Sequence, residues 1–204
     1  MLKNENLHKL YLLFCICIIG FAIICGLYSN GSIHFTNLKT FTYQSNIFLV
    51  LGYVVIIALY NKSHTLRHYI SISVLVAISV TGLIYNFVLV PIVDAPPVNI
   101  GFVNFALHAL SMVLALVNYF VFEQKGNYRR MHVIVAMAFP AIYWLVFVSI
   151  GGRIDYYPYF FMNPMEIGWL MVFIWLVILL GSFAVLGALL VWFDTRHSRK
   201  VDTE

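Results

Sequence analysis

Six apolar runs, each close to 20 residues long, follow one another along this 204-residue chain with only short polar connectors between them. They cover residues 10–27, 42–60, 69–92, 101–122, 132–150 and 168–193. At about 1.5 Å per residue, a helix of roughly 20 residues crosses the ~30 Å of hydrocarbon in a bilayer. A barrel strand needs only about 10 residues and alternates in and out, and these runs do not alternate. The expected fold class is therefore an all-α polytopic membrane protein: six transmembrane helices in a single domain over residues 1–204. Charge agrees with this. Only 10% of the residues are charged, against about a quarter in a soluble domain.

The lysines and arginines set the expected orientation. Lys3 and Lys9 precede the first span, Lys62 and Arg67 lie between the second and third, and Lys125, Arg129 and Arg130 between the fourth and fifth. Arg196, Arg199 and Lys200 follow the sixth. Only Lys39 and Arg153 fall on the opposite side. Both termini are thus expected in the cytoplasm, with the connectors 29–39, 93–100 and 151–167 outside. The same scatter argues against nucleic acid as a partner, because a net charge of +4 spread over short connectors makes no basic stripe. The first run begins like a signal peptide, but no small-x-small pattern follows Leu27, so it is read as a helix. Cys15, Cys17 and Cys25 all sit in that run without a second Cys/His cluster and are read as small packing residues. No cofactor or metal is expected.

Polar side chains gather in the outer halves of three spans. Thr42, Ser45 and Asn46 are spaced i, i+3, i+4 and share one face of the second span. The third span carries Thr81, Tyr85 and Asn86 in its outer half, and the fourth carries Asn104, His108 and Ser111 at i, i+4, i+7. His108 lies seven residues into its span, roughly 10 Å below the boundary. An ionisable residue at that depth is costly and marks a functional candidate. Buried polar groups need partners, so one shared cavity opening outward is the economical arrangement. It requires the second and fourth helices to be neighbours. The loop from Arg153 to Pro164, crowded with aromatics, is read either as an interfacial belt or as a lid over that cavity. An Arg153–Asp155 pair is expected within it.

Two roles for His108 stay open. As a general base its neutral imidazole takes a proton from a hydroxyl that attacks an ester carbonyl, with Thr42 as the nucleophile and Asn46, Asn86 or Asn104 orienting the ring or holding an oxyanion. As an interhelical anchor it simply hydrogen-bonds across helices. Thr42 likewise is either nucleophile or helix N-cap. His64 and His68 have helical metal spacing but sit in a polar connector, where a solvated surface is the plainer reading.

The run Phe41-Thr42-Tyr43-Gln44-Ser45-Asn46 resembles the Phe-Thr-x-Gln-Ser-Asn signature of a bacterial family of six-span integral membrane proteins. So do Thr81-Gly82-Leu83-Ile84-Tyr85-Asn86-Phe87-Val88-Leu89-Val90-Pro91, Leu107-His108 and Tyr156-Tyr157-Pro158-Tyr159-Phe160. These motifs span nearly the whole chain, in order. The family shares a superfamily with the animal androgen-induced and androgen-dependent membrane proteins, which resemble threonine hydrolases of fatty acid esters of hydroxy fatty acids. The resemblance implies an intramembrane lipid-ester hydrolase of the bacterial cytoplasmic membrane, with Thr42 as nucleophile, His108 as base and a membrane lipid or lipid-like ester as substrate. The chain departs from the family pattern at Asn86, where histidine is frequent, and at Met112, where proline is frequent. The second departure implies a straighter fourth helix.

Two other functions compete. A small lipid-binding protein or transporter would use the same cavity without covalent chemistry, although no Asp or Glu is expected inside a span to couple protons. A purely structural partner would leave the outer polar cluster with no purpose beyond packing.

Overall fold

The computed structural model describes residues 5–29, 31–93, 95–96 and 101–201. Lys3, Asn30, Asp94, most of the 93–100 connector, and the side chains of Arg199 and Lys200 lie outside them. Six helices are long and apolar enough to cross a membrane: α1 (Glu5–Leu27), α2 (Phe41–Ala58), α3 (His64–Ile92), α4 (Phe102–Phe122), α5 (Arg130–Ile154) and α6 (Pro164–Val201). α1, α3, α5 and α6 run past the apolar runs by several residues at one end or both. Charged and polar residues such as Glu5, Arg67 and Arg130 do not interrupt a helix's backbone ladder; they only change its solvent. A two-residue antiparallel ladder, β1 (Tyr28–Ser29) with β2 (Ser32–Ile33), turns the chain between α1 and α2.

α3 forms the centre. It packs on α2, α4, α5 and α6, and every residue from Ser71 to Gly82 is buried. A helix buried all round must be apolar or small on every face. This one alternates Val, Ile and Leu with Ser71, Ser73, Ala77, Ser79, Thr81 and Gly82. At Gly82 backbone meets backbone: a Cβ added there would lie 2.7 Å from the carbonyl oxygen of His108 on α4. Small residues of this kind let helix backbones meet where lipid offers no hydrophobic drive. α1 packs on α2 and α4, and α5 on α6. The main core runs from Leu12, Cys15 and Ile19 through Leu49 and Tyr53 to Ile72–Val80 and Leu114. An aromatic cluster under the last loop adds Tyr143, Trp144, Phe161 and Met162. Cys15 is buried in the core, Cys17 is exposed, and all three cysteines are free thiols.

α4 is not the straighter helix that Met112 implied. It widens into π-helical turns at Ala106–Leu110 and Asn118–Phe122, and α3 does so at Tyr85–Leu89. A π turn inserts one extra residue and bulges the helix without proline. Two of the three bulges contain Tyr85 and His108.

Candidate active site

α2 starts where Thr40 caps it: the Thr40 side chain accepts from the Tyr43 N–H, and its carbonyl from the Gln44 N–H. The capping role considered for Thr42 therefore falls two residues earlier. Thr42 is left in the first turn with a free hydroxyl, almost fully buried at 8% exposure.

That hydroxyl meets the imidazole of His108. Thr42 Oγ1 lies 3.2 Å from His108 Nε2. On the far side of the ring, His108 Nδ1 lies 3.0 Å from the Asn104 backbone carbonyl. A carbonyl only accepts, so Nδ1 carries the proton and Nε2 presents its lone pair to the threonine. The Tyr85 ring stacks on the imidazole, centroids 3.5 Å apart and 21° from parallel. Tyr85 is fixed in turn by a 2.6 Å bond from its hydroxyl to the Pro96 carbonyl. The ring's tautomer, tilt and depth are all set by neighbours.

The other polar residues serve the backbone around this pair. Asn46 Nδ2 donates to the Thr42 carbonyl at 2.8 Å and across to the Leu107 carbonyl of α4 at 3.0 Å, lacing α2 to the π turn that carries His108. Ser45 donates to the same Thr42 carbonyl at 3.1 Å and lies 3.0 Å from the Thr81 hydroxyl of α3. Ser111 bonds back to Leu107 O, and Asn86 to Gly82 O, each within its own helix. The Asn104 amide reaches Pro96 O. The amide donors of Asn46, Asn86 and Asn104 are thus all aimed at backbone carbonyls, and the group that orients the imidazole is the Asn104 main chain. The α5–α6 loop holds no Arg153–Asp155 ion pair among the described residues; Asp155 instead ends α5 in the left-handed conformation, φ 48°.

Tyr159, read from sequence only as one aromatic among many in that loop, reaches the site. Its hydroxyl accepts from the Phe41 N–H at 3.0 Å and lies beside the Thr42 N–H and side chain. It satisfies donors that a helix N-terminus leaves open. Burial pushes its phenol above the ordinary range, so the proton stays on oxygen. No spacing rule separates Tyr159 from Tyr156 and Tyr157; only the fold of the loop does.

A cavity of about 60 Å³ adjoins the threonine. Thr42, Tyr85 and Tyr159 line its polar edge; Trp144, Leu176 and Phe183 stand for its apolar walls. One water needs about 10–15 Å³ on this measure, so the space admits the reacting end of a molecule and not a whole fatty chain. Among the described residues no cluster of His, Cys, Asp or Glu is arranged to hold a metal ion.

At the opposite, basic end lies a second buried polar layer that the apolar runs did not announce. Glu123 and Asp194 sit just past two run ends, yet are 4% and 0% exposed. Glu123 accepts from Ser71 at 3.1 Å and lies 4.0 Å from His68. Asp194 accepts the N–H groups of Gly126 and Tyr128, both at 2.8 Å, tying the α4–α5 connector to α6. His8 bridges Tyr60 and Asn118 at 2.8 Å each. The chain matches no protein-family model, no curated protein and no solved structure, so the resemblance to a family rests on its motifs alone.

Proposed function

We propose that the protein is an intramembrane hydrolase of fatty acyl esters, with Thr42 as nucleophile and His108 as general base. The observation that carries this is the Thr42–His108 contact at 3.2 Å, with the imidazole held in the tautomer whose lone pair faces the hydroxyl. An interhelical anchor needs only some hydrogen bond; it does not need a cavity lined by the same threonine. The reaction follows from the residues. Thr42 Oγ1 attacks the ester carbonyl carbon as its proton passes to His108 Nε2. The oxyanion forms beside the α2 N-terminus, where the dipole is positive and the Tyr159 hydroxyl is poised to donate. The tetrahedral centre collapses to an acyl-threonine, and the imidazolium returns its proton to the departing alcohol. Water then attacks the acyl-threonine with His108 again taking the proton, releasing a carboxylic acid and restoring the hydroxyl.

The six apolar helices support membrane insertion, and the basic residues support a cytoplasmic placement of the Glu123 end, so that Thr42 faces the outer leaflet. In this reading the ester carbonyl occupies the polar edge of the small cavity, and the fatty chain, too long for it, extends into lipid. Purified protein is expected to take an activated alkyl phosphonate covalently at Thr42, and Thr42→Ala to lose both label and ester cleavage while keeping its melting temperature within a few degrees. Labelling undiminished in Thr42→Ala, or substrate binding with no cleavage by the parent protein, would overturn the hydrolase reading; the latter would favour a lipid-binding role.

A further inference from the structure

A second, larger concavity lies on the far side of α6, at the basic end of the α5–α6 pair. Ala184, Ala188, Val191 and Thr195 recur at i, i+4, i+7 and i+11 on α6 and so share one face. Beside them Gly187 lets α5 come close: a Cβ there would lie 2.9 Å from Val133 Cγ1. Close helices with small side chains at the seam leave a groove of about 670 Å³, floored by Val133, Ala184, Ala188 and Val191. Arg130 and Arg196 stand at its end. Both are exposed, and neither forms an ion pair among the described residues. The Arg196 guanidinium lies 4.6 Å over the Trp192 ring, which also borders the groove. The nearby carboxylates, Glu123 and Asp194, are buried and turned to other donors. Among the described residues the arginines' charge is therefore unpaired.

We propose that this groove seats one anionic glycerophospholipid, its phosphate between Arg130 and Arg196 and an acyl chain along the alanine face. A soluble anion would satisfy the guanidinium forks but leave the apolar floor bare. A neutral lipid would cover the floor but leave the arginines to water. Only an amphiphile with a negative head matches both halves. The proposal rests on the membrane reading and not on the chemistry at Thr42. It also gives α6 a brace, because Phe183 walls the Thr42 cavity and the next residue, Ala184, floors the groove.

The test is thermal unfolding of the full-length protein in neutral detergent with added phosphatidylglycerol, phosphatidylcholine of the same chains, or inorganic phosphate. Phosphatidylglycerol alone is expected to raise the melting temperature. Arg130→Gln/Arg196→Gln is expected to weaken that response about thirtyfold in lipid concentration, from the typical worth of two basic residues at an anionic surface. Ala188→Phe, which fills the slot but keeps both arginines, is expected to abolish it, and Lys62→Gln to leave it intact. If the double variant does not fold, native mass spectrometry of the single Arg130→Gln and Arg196→Gln proteins should each show less retained phosphatidylglycerol. Equal responses to the two lipids, a response to phosphate alone, or retention in Ala188→Phe would overturn the proposal. A lipid-independent dimer broken by Ala188→Phe would also overturn it, by assigning the groove to a second copy.

Discussion

Three side chains divide the work around Thr42. His108 faces the hydroxyl, Tyr159 braces the helix start, and Asn46 holds the carbonyl behind. The first two predict different losses. His108→Asn removes the base and is expected to lower ester turnover by about 10²–10⁴-fold, measured as kcat on a chromogenic acyl ester. Tyr159→Phe leaves the Phe41 N–H without an acceptor, at a cost of about 1–3 kcal/mol in stability. It also removes a donor at the oxyanion, so kcat should fall more than KM rises; an unchanged kcat with a lowered melting temperature would confine Tyr159 to a structural role. Thr42, His108 and their polar neighbours were legible from sequence because a hydroxyl and an imidazole stand out against apolar helices. Tyr159 was not, because its loop holds five aromatic residues in the stretch 156–161 and only three-dimensional placement singles one out.

The helices were legible as apolar runs but not in their inner geometry. Hydropathy reports which solvent a segment prefers; it carries no information about an extra residue squeezed into a turn. The π turns at Tyr85–Leu89 and Ala106–Leu110 therefore went unforeseen, though together they hold the two stacked rings of the site. Beside those bulges α3 and α4 meet at Gly82, against the His108 carbonyl. Gly82→Ala is expected to push the His108 carbonyl away from α3, because backbone cannot yield as a flexible side chain does. The cost should be about 1–3 kcal/mol of stability, read as a lower melting temperature, together with reduced phosphonate labelling at Thr42. Labelling at the parent rate would mean that the π turn tolerates the shift.

Across the whole molecule, polarity sits at both ends with an apolar middle between. Sequence pointed to the Thr42 layer but missed the other, since Glu123 and Asp194 lie one residue beyond their apolar runs and drew no attention there. Glu123 faces Arg67, His68 and Ser71 from α3, Asn118 from α4 and Lys125 from the connector. Burial pushes its carboxyl above the ordinary 4.5 despite those cations and donors. Between 4.5 and the raised value the folded state holds more protons than the unfolded one. This contribution to stability is thus complete below pH 4.5 and drains away as pH rises through the folded value. Glu123→Gln should flatten that part of the melting temperature–pH curve, and a slope unchanged by the substitution would place its origin elsewhere. The apolar walls of the Thr42 cavity carry one more consequence. In the proposed mechanism, whatever molecule relieves the threonine of its acyl group must first enter among Trp144, Leu176 and Phe183, where the reacting end of a medium-chain alcohol is more at home than water. Given such an alcohol, the protein should hand the acyl group on as a new ester faster than it surrenders it as an acid, behaving as a transferase by virtue of which guest its vestibule admits.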